Sequence, residues 1–485
     1  MTQPSATVAS PGCAREAVLP RPHGERTGLP AAAPRLAGQL GNLWMFRQVA
    51  QSKSMADAGR VLFKSSAVVS RAMRELEDVL GGALIERTSR GVLLNDRGQA
   101  VLARVQRIDD ELIQAAAELL RLRPHAPAGQ EAVREPLYDG RRLSVITSLV
   151  DCDSLSAAAV SLGMTQSGAS MALSRTEAAL GAQLFTRSPY GLVPRPATRR
   201  IVTHARRVFA ELRHLSSDLA SAGGQVSGTV TIGTSPLGRT QLVPTAIGQA
   251  MALHPALRVT TVEGHYEQLI AGLQSGEIDL AIGVPRGEDT GLQAEYLFDD
   301  RLAVLARPGH PLQSAPALAL ADIAGARWIL PQKSSPSRQL LTDAFEREAL
   351  APPVPVVESA DLAIVRYLLL AGDALALGSV AQFSFELTAG LLAELPVALT
   401  RMTRRVTLVL RRGSAPSAAV EAVVSALRRQ ALAAPAAGRE SAGREPAAAD
   451  VPSGDGALRR GDGVETARSH AVSVVNGAKT REVLS

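Results

Sequence analysis

Cysteine is nearly missing from these 485 residues: there are two, Cys13 and Cys152. Neither stands near a histidine or a second cysteine at metal-ligand spacing, so the chain offers no zinc knuckle, disulfide framework or redox pair. Long apolar runs are missing as well. No window approaches the roughly 18 apolar residues of a membrane helix. The Pro-, Ala- and Arg-rich first 40 residues lack the apolar core of a secretion signal. A cytoplasmic protein without a membrane partner is expected. Also lacking are a phosphate-cradling glycine loop, a nucleophile elbow and any Ser/His/Asp order that neighbouring elements could assemble, which argues against an enzyme and against a cofactor.

What is present is a repeat. "SAVVSRAMRELEDVLG" ends at Gly81, and "QSGASMALSRTEAALG" ends one hundred residues later at Gly181. Without a gap, Leu43 pairs with Leu143, Ser54 with Ser154, Ser70 with Ser170, Glu77 with Glu177, Leu84 with Leu184, Arg87 with Arg187 and Gly91 with Gly191. Such register over fifty residues implies one fold used twice. Each copy reads as a helix from about 42 or 142, a second from Ser54 or Ser154, and a third from Ser65/Ser66 or Thr165 to Leu80 or Leu180. In the third helix of the first copy, Val69, Met73, Leu76 and Leu80 form one apolar stripe, which turns Ala67, Arg71, Arg74 and Glu75 outward. The following segments, "ALIERTSRGVLLN" and "QLFTRSPYGLVPR", read as two short strands about a basic turn, a wing behind a helix-turn-helix.

A long amphipathic helix then follows each copy, Gly98–Leu122 and Arg199–Ala222. Beyond Gly228 the pattern alternates β and α ("GTVTIG", "RVTTVEG", "IDLAIG"), which implies a parallel or mixed sheet flanked by helices. The expected organisation is multidomain: a disordered tail over 1–40, winged helix-turn-helix modules at 41–98 and 141–198, linker helices at 99–123 and 199–225, a linker at 124–140, a two-lobed α/β domain at 227–415 and a disordered tail over 430–485. Formal charge is +6, and the excess sits in the repeats: 13 Lys and Arg face 10 Asp and Glu over 41–123, and 10 face 5 over 141–225. A nucleic-acid-binding half and a near-neutral half are implied.

From Leu43 to about Arg412 these motifs resemble the LysR-type transcriptional regulators. "SSAVVSRAMRELEDVLGGALIERTSRG" resembles that family's DNA-binding signature, and "SGTVTIG", "HPALRVTTVEG" and "LQSGEIDLAIG" its effector-domain opening. The run "WILPQKSSPSRQLLTDAF" is similar to the branch that regulates galactose-binding proteins. A second winged module departs from the family pattern. The resemblance implies a regulator of double-stranded DNA, controlled by a small-molecule effector (a sugar or small organic acid) between the lobes of a periplasmic-binding-protein-like domain. It further implies assembly through the linker helices as a homodimer or homotetramer, with RNA polymerase a candidate partner. The competing reading is an effector-independent DNA-bound antagonist or heterodimerising scaffold whose second module is structural.

A helix fits the major groove with its first turn on base edges and phosphates. Candidate DNA contacts are therefore Ser65, Ser66, Ala67, Ser70, Arg71, Arg74, Arg87 and Arg90 in the first copy, and Thr165, Gln166, Ser167, Ser170, Arg175 and Arg187 in the second. Gln166 can pair bidentately with adenine, so the copies should prefer different half-sites. Met171, Ser174 and Tyr190 stand where the first copy has outward arginines, and Thr176 replaces Leu76 in the core stripe. The second copy is thus either a DNA reader or a packing module. Thr234 and Ser235 follow a strand, where a cleft is expected, and the resemblance places effector contacts there. Ser334, Ser335 and Ser337, with Arg338, are effector donors or ordinary helix caps. His265 and Tyr266 are stacking or hydrogen-bonding candidates, with a structural role open for the histidine. Trp328 reads as core, and Asp279 as structural.

Overall fold

Short polar side chains start the helices of both repeats in the same way. Ser54 Oγ accepts the Asp57 amide at 3.2 Å and Ser154 Oγ the Ala157 amide at 3.1 Å. Ser65 and Thr165 cap the third helix of each copy, and Gly81 and Gly181 end it in the left-handed conformation. The computed structural model describes residues 32–89, 91–122, 133–152, 154–188, 191–284, 291–399 and 401–433. Arg90, Tyr190, Cys13 and, of the tails expected over 1–40 and 430–485, residues 1–31 and 434–485 lie outside the described residues.

The first copy comprises α1 (Ala32–Ala37), α2 (Leu40–Ser52), α3 (Met55–Val61), α4 (Ser66–Leu80), the wing strands β1 (Ile85–Thr88) and β2 (Gly91–Leu94), and the linker helix α5 (Asp96–Leu120). The second comprises α6 (Gly140–Asp151), α7 (Leu155–Ser161), α8 (Gln166–Leu180), the wing β3 (Phe185–Ser188) and β4 (Gly191–Pro194), and the linker helix α9 (Pro196–Ser221). Both wings are antiparallel hairpins in matching register, Thr88 opposite Gly91 and Ser188 opposite Gly191.

The effector-domain half follows as β5 (Gly228–Thr234), α10 (Leu242–Leu253), β6 (Leu257–Glu263), α11 (Tyr266–Ser275), β7 (Leu280–Gly283), β8 (Leu292–Ala306), α12 (Leu320–Ile323), β9 (Arg327–Leu330), α13 (Pro336–Arg347), β10 (Pro355–Glu358), α14 (Leu362–Ala371), β11 (Ala374–Ser379), α15 (Ser384–Thr388), β12 (Ala393–Glu394), β13 (Thr403–Arg411) and α16 (Ala418–Ala433). Its sheet runs β10-β9-β11-β8-β13-β7-β5-β6. Parallel pairs lie at both ends (β5 with β6 and β7, β9 with β10 and β11), and the long antiparallel pair β8/β13 crosses the middle. Two lobes result. One packs around Val230, Ile232, Leu280, Leu408 and Leu427, the other around Leu302, Val304, Trp328, Leu341 and Phe345.

Three expected boundaries are corrected. Residues 32–40, expected to belong to the first tail, are structured: α1 is helical, and Leu36 and Ala37 enter the core of the repeats. Within 124–140, Val133, Leu137 and Tyr138 are buried, so the end of that linker is packed structure. The effector domain runs past 415: α16 lays Val420, Val423, Val424 and Leu427 on the first lobe's core. Trp328 is core, as its place in the sequence suggests, and its indole N–H donates to the Ile323 carbonyl at 3.0 Å.

The two linker helices pack on each other within the one chain. Val101, Val105, Ile108, Leu112, Ala115 and Leu119 of α5, with Ile201, Ala205, Val208, Leu212 and Leu215 of α9, belong to one buried core that also holds the first and third helices of both copies. Their spacing alternates three and four residues, the period of a coiled-coil seam. Contacts run antiparallel: Arg104 meets Glu211 at 2.9 Å, Glu111 meets His204 at 2.7 Å and Glu118 meets Arg200 at 2.6 Å. The seam expected to join separate chains is therefore occupied inside this one.

Candidate nucleic-acid interface and effector cleft

At the start of α4, Ser65, Ser66 and Ala67 are exposed and Ser70 half-buried, while Val69, Ala72, Met73, Leu76 and Leu80 face the core. The stripe that holds the helix down thus leaves its first turn to solvent. Arg71 and Arg74 are exposed one turn on; Arg71 Nε bonds Glu75 at 2.8 Å, whereas Arg74 and Arg87 make no ion pair among the described residues. An exposed pair like Arg71–Glu75 contributes about 0.3–0.5 kcal/mol and yields readily to a stronger anion. Arg87 stands on β1 and is exposed.

The second copy repeats this layout with other chemistry. Thr165, Gln166 and Ser167 are exposed, Ser170 is half-buried, and Arg175 and Arg187 are exposed without an ion-pair partner among the described residues. Ser174 Oγ turns back on the Ser170 carbonyl at 3.1 Å, and Met171 lies exposed where the first copy has Arg71. Thr176 is buried, and its hydroxyl is satisfied by the Ala172 carbonyl at 2.7 Å. The core stripe tolerates it for that reason.

Two features escaped the sequence reading. Glu77 Oε1 accepts the Leu84 amide at 2.8 Å and Glu177 Oε1 the Leu184 amide at 2.7 Å, so the repeated glutamate ties the recognition helix to the root of its wing. Its identity in both copies was the available signal. Phe63, in the turn before α4, is 98% exposed at φ 53°, where the second copy has Gly163 at φ 65°. An aromatic residue held there is strained.

In the effector half, Thr234 ends β5 and Ser235 follows it, and His265 and Tyr266 follow β6, whose Glu263 pairs with Thr234. All four stand at the carboxyl edge of the first lobe's parallel strands. Thr234 Oγ1 and Ser235 Oγ are buried with no hydrogen-bond partner among the described residues. His265 is exposed, and Tyr266 packs partly against Leu269 and its neighbours. In the second lobe, Ser334 is exposed and Ser335 occupies the cap position of α13 without a side-chain cap bond. Ser335 Oγ lies 3.2 Å from Ser337 Oγ, and Ser337 Oγ accepts from Arg404 at 3.1 Å. Arg338 points elsewhere: it is buried, donates to the Pro353 carbonyl at 3.0 Å, and keeps one guanidinium nitrogen without a hydrogen-bond partner among the described residues.

Arg404, which the sequence did not single out, links this edge to the strand crossing. Its guanidinium donates to Asp300 at 2.8 Å, and Asp300 also accepts from Ser379 Oγ at 2.5 Å. Asp279 is structural, as expected, and its side-chain partners lie on α9. Arg213 and His214 donate or share protons with it at 2.8 and 2.9 Å, and the Thr231 amide donates at 2.8 Å. Burial opposes its ionisation; Arg213, His214 and that amide together hold the carboxyl well below the usual range.

Comparison with known proteins agrees with this layout. Residues 40–99 and 141–199 each match the bacterial regulatory helix-turn-helix protein of the lysR family, and residues 223–432 match the LysR substrate binding domain. The HTH-type transcriptional regulator GalR of Pseudomonas putida is 38% identical over 397 residues, covering 80% of this chain and 97% of its own. The regulator GbpR of Azospirillum brasilense is 31% identical over 223 residues, 45% of this chain and 65% of its own. Among solved structures, a full-length OxyR variant from Pseudomonas aeruginosa aligns at 21% identity and a TM-score of 0.46, over 59% of this chain and 97% of that one. None of these likenesses supports the antagonist or scaffold reading. No helix among the described residues is long and apolar enough to cross a membrane. With two helix-turn-helix matches ahead of one substrate-binding domain, and a relative matched over nearly its whole length, the chain belongs to the LysR family of transcriptional regulators.

Proposed function

We propose that the chain reads duplex DNA with the first turns of α4 and α8 and answers a small molecule held between its lobes. The exposed, side-chain-capped start of both recognition helices carries the DNA part of this reading. Ser65, Ser66, Ala67 and Ser70 meet one half-site, with Arg71, Arg74 and Arg87 on its phosphates; Thr165, Gln166, Ser167 and Ser170 meet another, with Arg175 and Arg187. The unpartnered hydroxyls of Thr234 and Ser235 support a polar effector such as a sugar or small organic acid, because a buried hydroxyl without a partner is costly until a ligand supplies one. His265 and Tyr266 flank that edge in the first lobe and Ser334 and Ser335 are the candidates the second lobe would bring to it; Arg338 holds α13 in place. Lobe closure would reach the DNA heads through α9, which carries the second head at one end and grips Asp279 near the other. The effector shifts that equilibrium only by its difference in affinity for the two states. Further association into homodimers or homotetramers, and contact with RNA polymerase, use faces other than the α5/α9 seam.

A footprint on the DNA upstream of the protein's own reading frame tests the first part, comparing the unaltered protein with Arg71→Ala/Arg74→Ala and Gln166→Ala/Arg175→Ala. Loss of protection at a different place in each variant is expected. If neither variant alters the footprint, α4 and α8 are not the reading elements.

A further inference from the structure

We infer that one chain is a complete and oriented DNA clamp, whose two unlike heads are an intramolecular pair related by an approximate two-fold axis and together take one operator with two different half-sites. This rests on the DNA-binding reading above and adds the stoichiometry and asymmetry of the site. The symmetry shows in the contacts. With residue n equivalent to n+100, the pair Arg104–Glu211 maps onto His204–Glu111, and both are made, at 2.9 and 2.7 Å. The buried stripes map likewise: Val101 onto Ile201, Val105 onto Ala205, Ile108 onto Val208, Leu112 onto Leu212. Residue i touching j while the equivalent of j touches the equivalent of i is the mark of a self-complementary two-fold interface. Here it closes within one polypeptide.

The chain path fits this closure. α5 runs toward the second copy, since Glu118 near its end bonds Arg200 near the start of α9, so a short connection suffices to begin the second module. At the other contact of the two heads, Gly140 packs on the Ala37 carbonyl so closely that a Cβ there would fall 2.3 Å from it, and Trp44 stacks on Tyr138 at 5.3 Å. Such a seam leaves little room for the heads to move independently. A two-fold relation also carries the outward first turn of α4 onto that of α8, the arrangement in which a pair of heads can take the two half-sites of one duplex. Fixing them together makes the second contact intramolecular, with the gain of an effective concentration in place of a free one.

The heads differ at the residues that meet bases, Ser66 against Gln166 and Arg71 against Met171, so the preferred operator is a hybrid with a direction along the DNA.

The test selects binding sites from random duplex with the full chain, then weighs the complex on the selected duplex by native mass spectrometry and counts protected half-sites by footprinting. One chain per two half-sites is expected, whatever larger assembly forms. The hybrid operator should bind about 5- to 150-fold more tightly than a palindrome built from either half, the range of one bidentate base contact. Adding about 5 base pairs between the halves should weaken binding, because it turns one half to the far face of the helix. One chain per half-site, or a palindrome bound as tightly as the hybrid, overturns the inference and leaves the DNA-binding reading intact. Failure to select any duplex overturns the DNA-binding reading itself.

Discussion

Replacing Arg104 with leucine probes the joint between the heads and the effector domain. Arg104 is 6% exposed, and its guanidinium meets Glu211 at 2.9 Å, Asp218 at 2.8 Å and the Ala415 carbonyl at 2.6 Å. Glu211 is 1% exposed, and its other cationic neighbour, Arg411, stands 3.6 Å away. Removing Arg104 strands a buried carboxylate and two acceptors, a loss of about 3–5 kcal/mol for a broken buried pair. Over a unit of roughly 150–250 residues, each kcal/mol moves the melting temperature by about 2–4 °C, so a fall of about 6–20 °C is expected. The two tryptophans report separately: Trp44 sits at the contact between the heads and Trp328 in the second lobe, so fluorescence melts show which part yields first. The decisive arm is the double variant Arg104→Leu/Glu211→Leu. The double variant removes the buried Glu211 charge that the single variant strands, leaving only the partly exposed Asp218 without Arg104, so it should recover at least about 1–2 kcal/mol relative to the sum of the singles. A single variant within about 1 kcal/mol of the unaltered protein, or strict additivity, would refute the view that this pair joins α5 to α9.

Glu75→Gln releases Arg71 for phosphate, and should tighten DNA binding slightly while steepening its fall with salt by up to about 0.9 in the log–log slope; a titration series from about 50 to 200 mM salt measures both. Phe63→Gly relieves a left-handed strain of about 1–2 kcal/mol against a glycine entropy cost of about 0.5–1, so a small net stabilisation in urea unfolding is expected, and a loss above about 1 kcal/mol would show a packing role for the ring. Asp279 has a folded pKa below its usual 3.8, so its stabilising contribution is complete above that value and drains away as pH falls through the lowered folded one. Asp279→Asn should therefore be less stable than the unaltered protein near neutrality, with the gap narrowing below about pH 4 in acid unfolding monitored by circular dichroism. Thr234→Val/Ser235→Ala should abolish thermal stabilisation by whichever sugar or organic acid stabilises the unaltered chain, with the unliganded melting temperature equal or higher.

The elements of each winged module were legible because short-range chemistry dictates them. Ser54 and Ser154, Ser65 and Thr165, and Gly81 and Gly181 mark helix ends within a residue or two, and the stripe Val69, Met73, Leu76, Leu80 names the buried face. The partner of the linker-helix stripe was not legible. Val101–Leu119 and Ile201–Leu215 state that each helix needs an apolar mate, and the same pattern serves a second chain or the same one. α1 escaped because six residues carry too little periodicity to separate from a Pro- and Ala-rich tail. The Arg404–Asp300–Ser379 network escaped for a different reason: its members stand on three strands brought together only when β8 crosses between β11 and β13. Of the effector candidates, the place of Thr234 and Ser235 at the end of a strand was readable, whereas Arg338, one residue beyond Ser337, is drawn to the Pro353 carbonyl by packing that the local sequence does not announce.

Fusion of the two modules changes what each side of their interface is free to become. In a symmetric pair of separate chains every substitution appears twice, so a residue must suit both its own place and its image. Within one chain the images are separate positions. The carboxylates Glu111 and Glu211 stand at equivalent places on the two helices of the seam, but their partners differ, His204 for the first and Arg104 for the second. Asp109 is buried and held by Arg47 at 2.8 Å, by Arg134 and by the Tyr138 hydroxyl, while its counterpart is Phe209, an apolar core residue. The same freedom reaches the outer faces, where Arg71 and Met171 occupy equivalent places on the two recognition helices. What stays alike in both copies is what each module needs to fold alone: the serine caps, the glutamate at the wing root, the glycine that ends the third helix. Divergence at the seam and at the reading face, with likeness kept in the frame between them, is what a permanent pair of unequal heads requires, and Arg104, on the seam and against the 415–416 carbonyls, joins Arg213 and His214 on Asp279 in tying the effector domain to that pair.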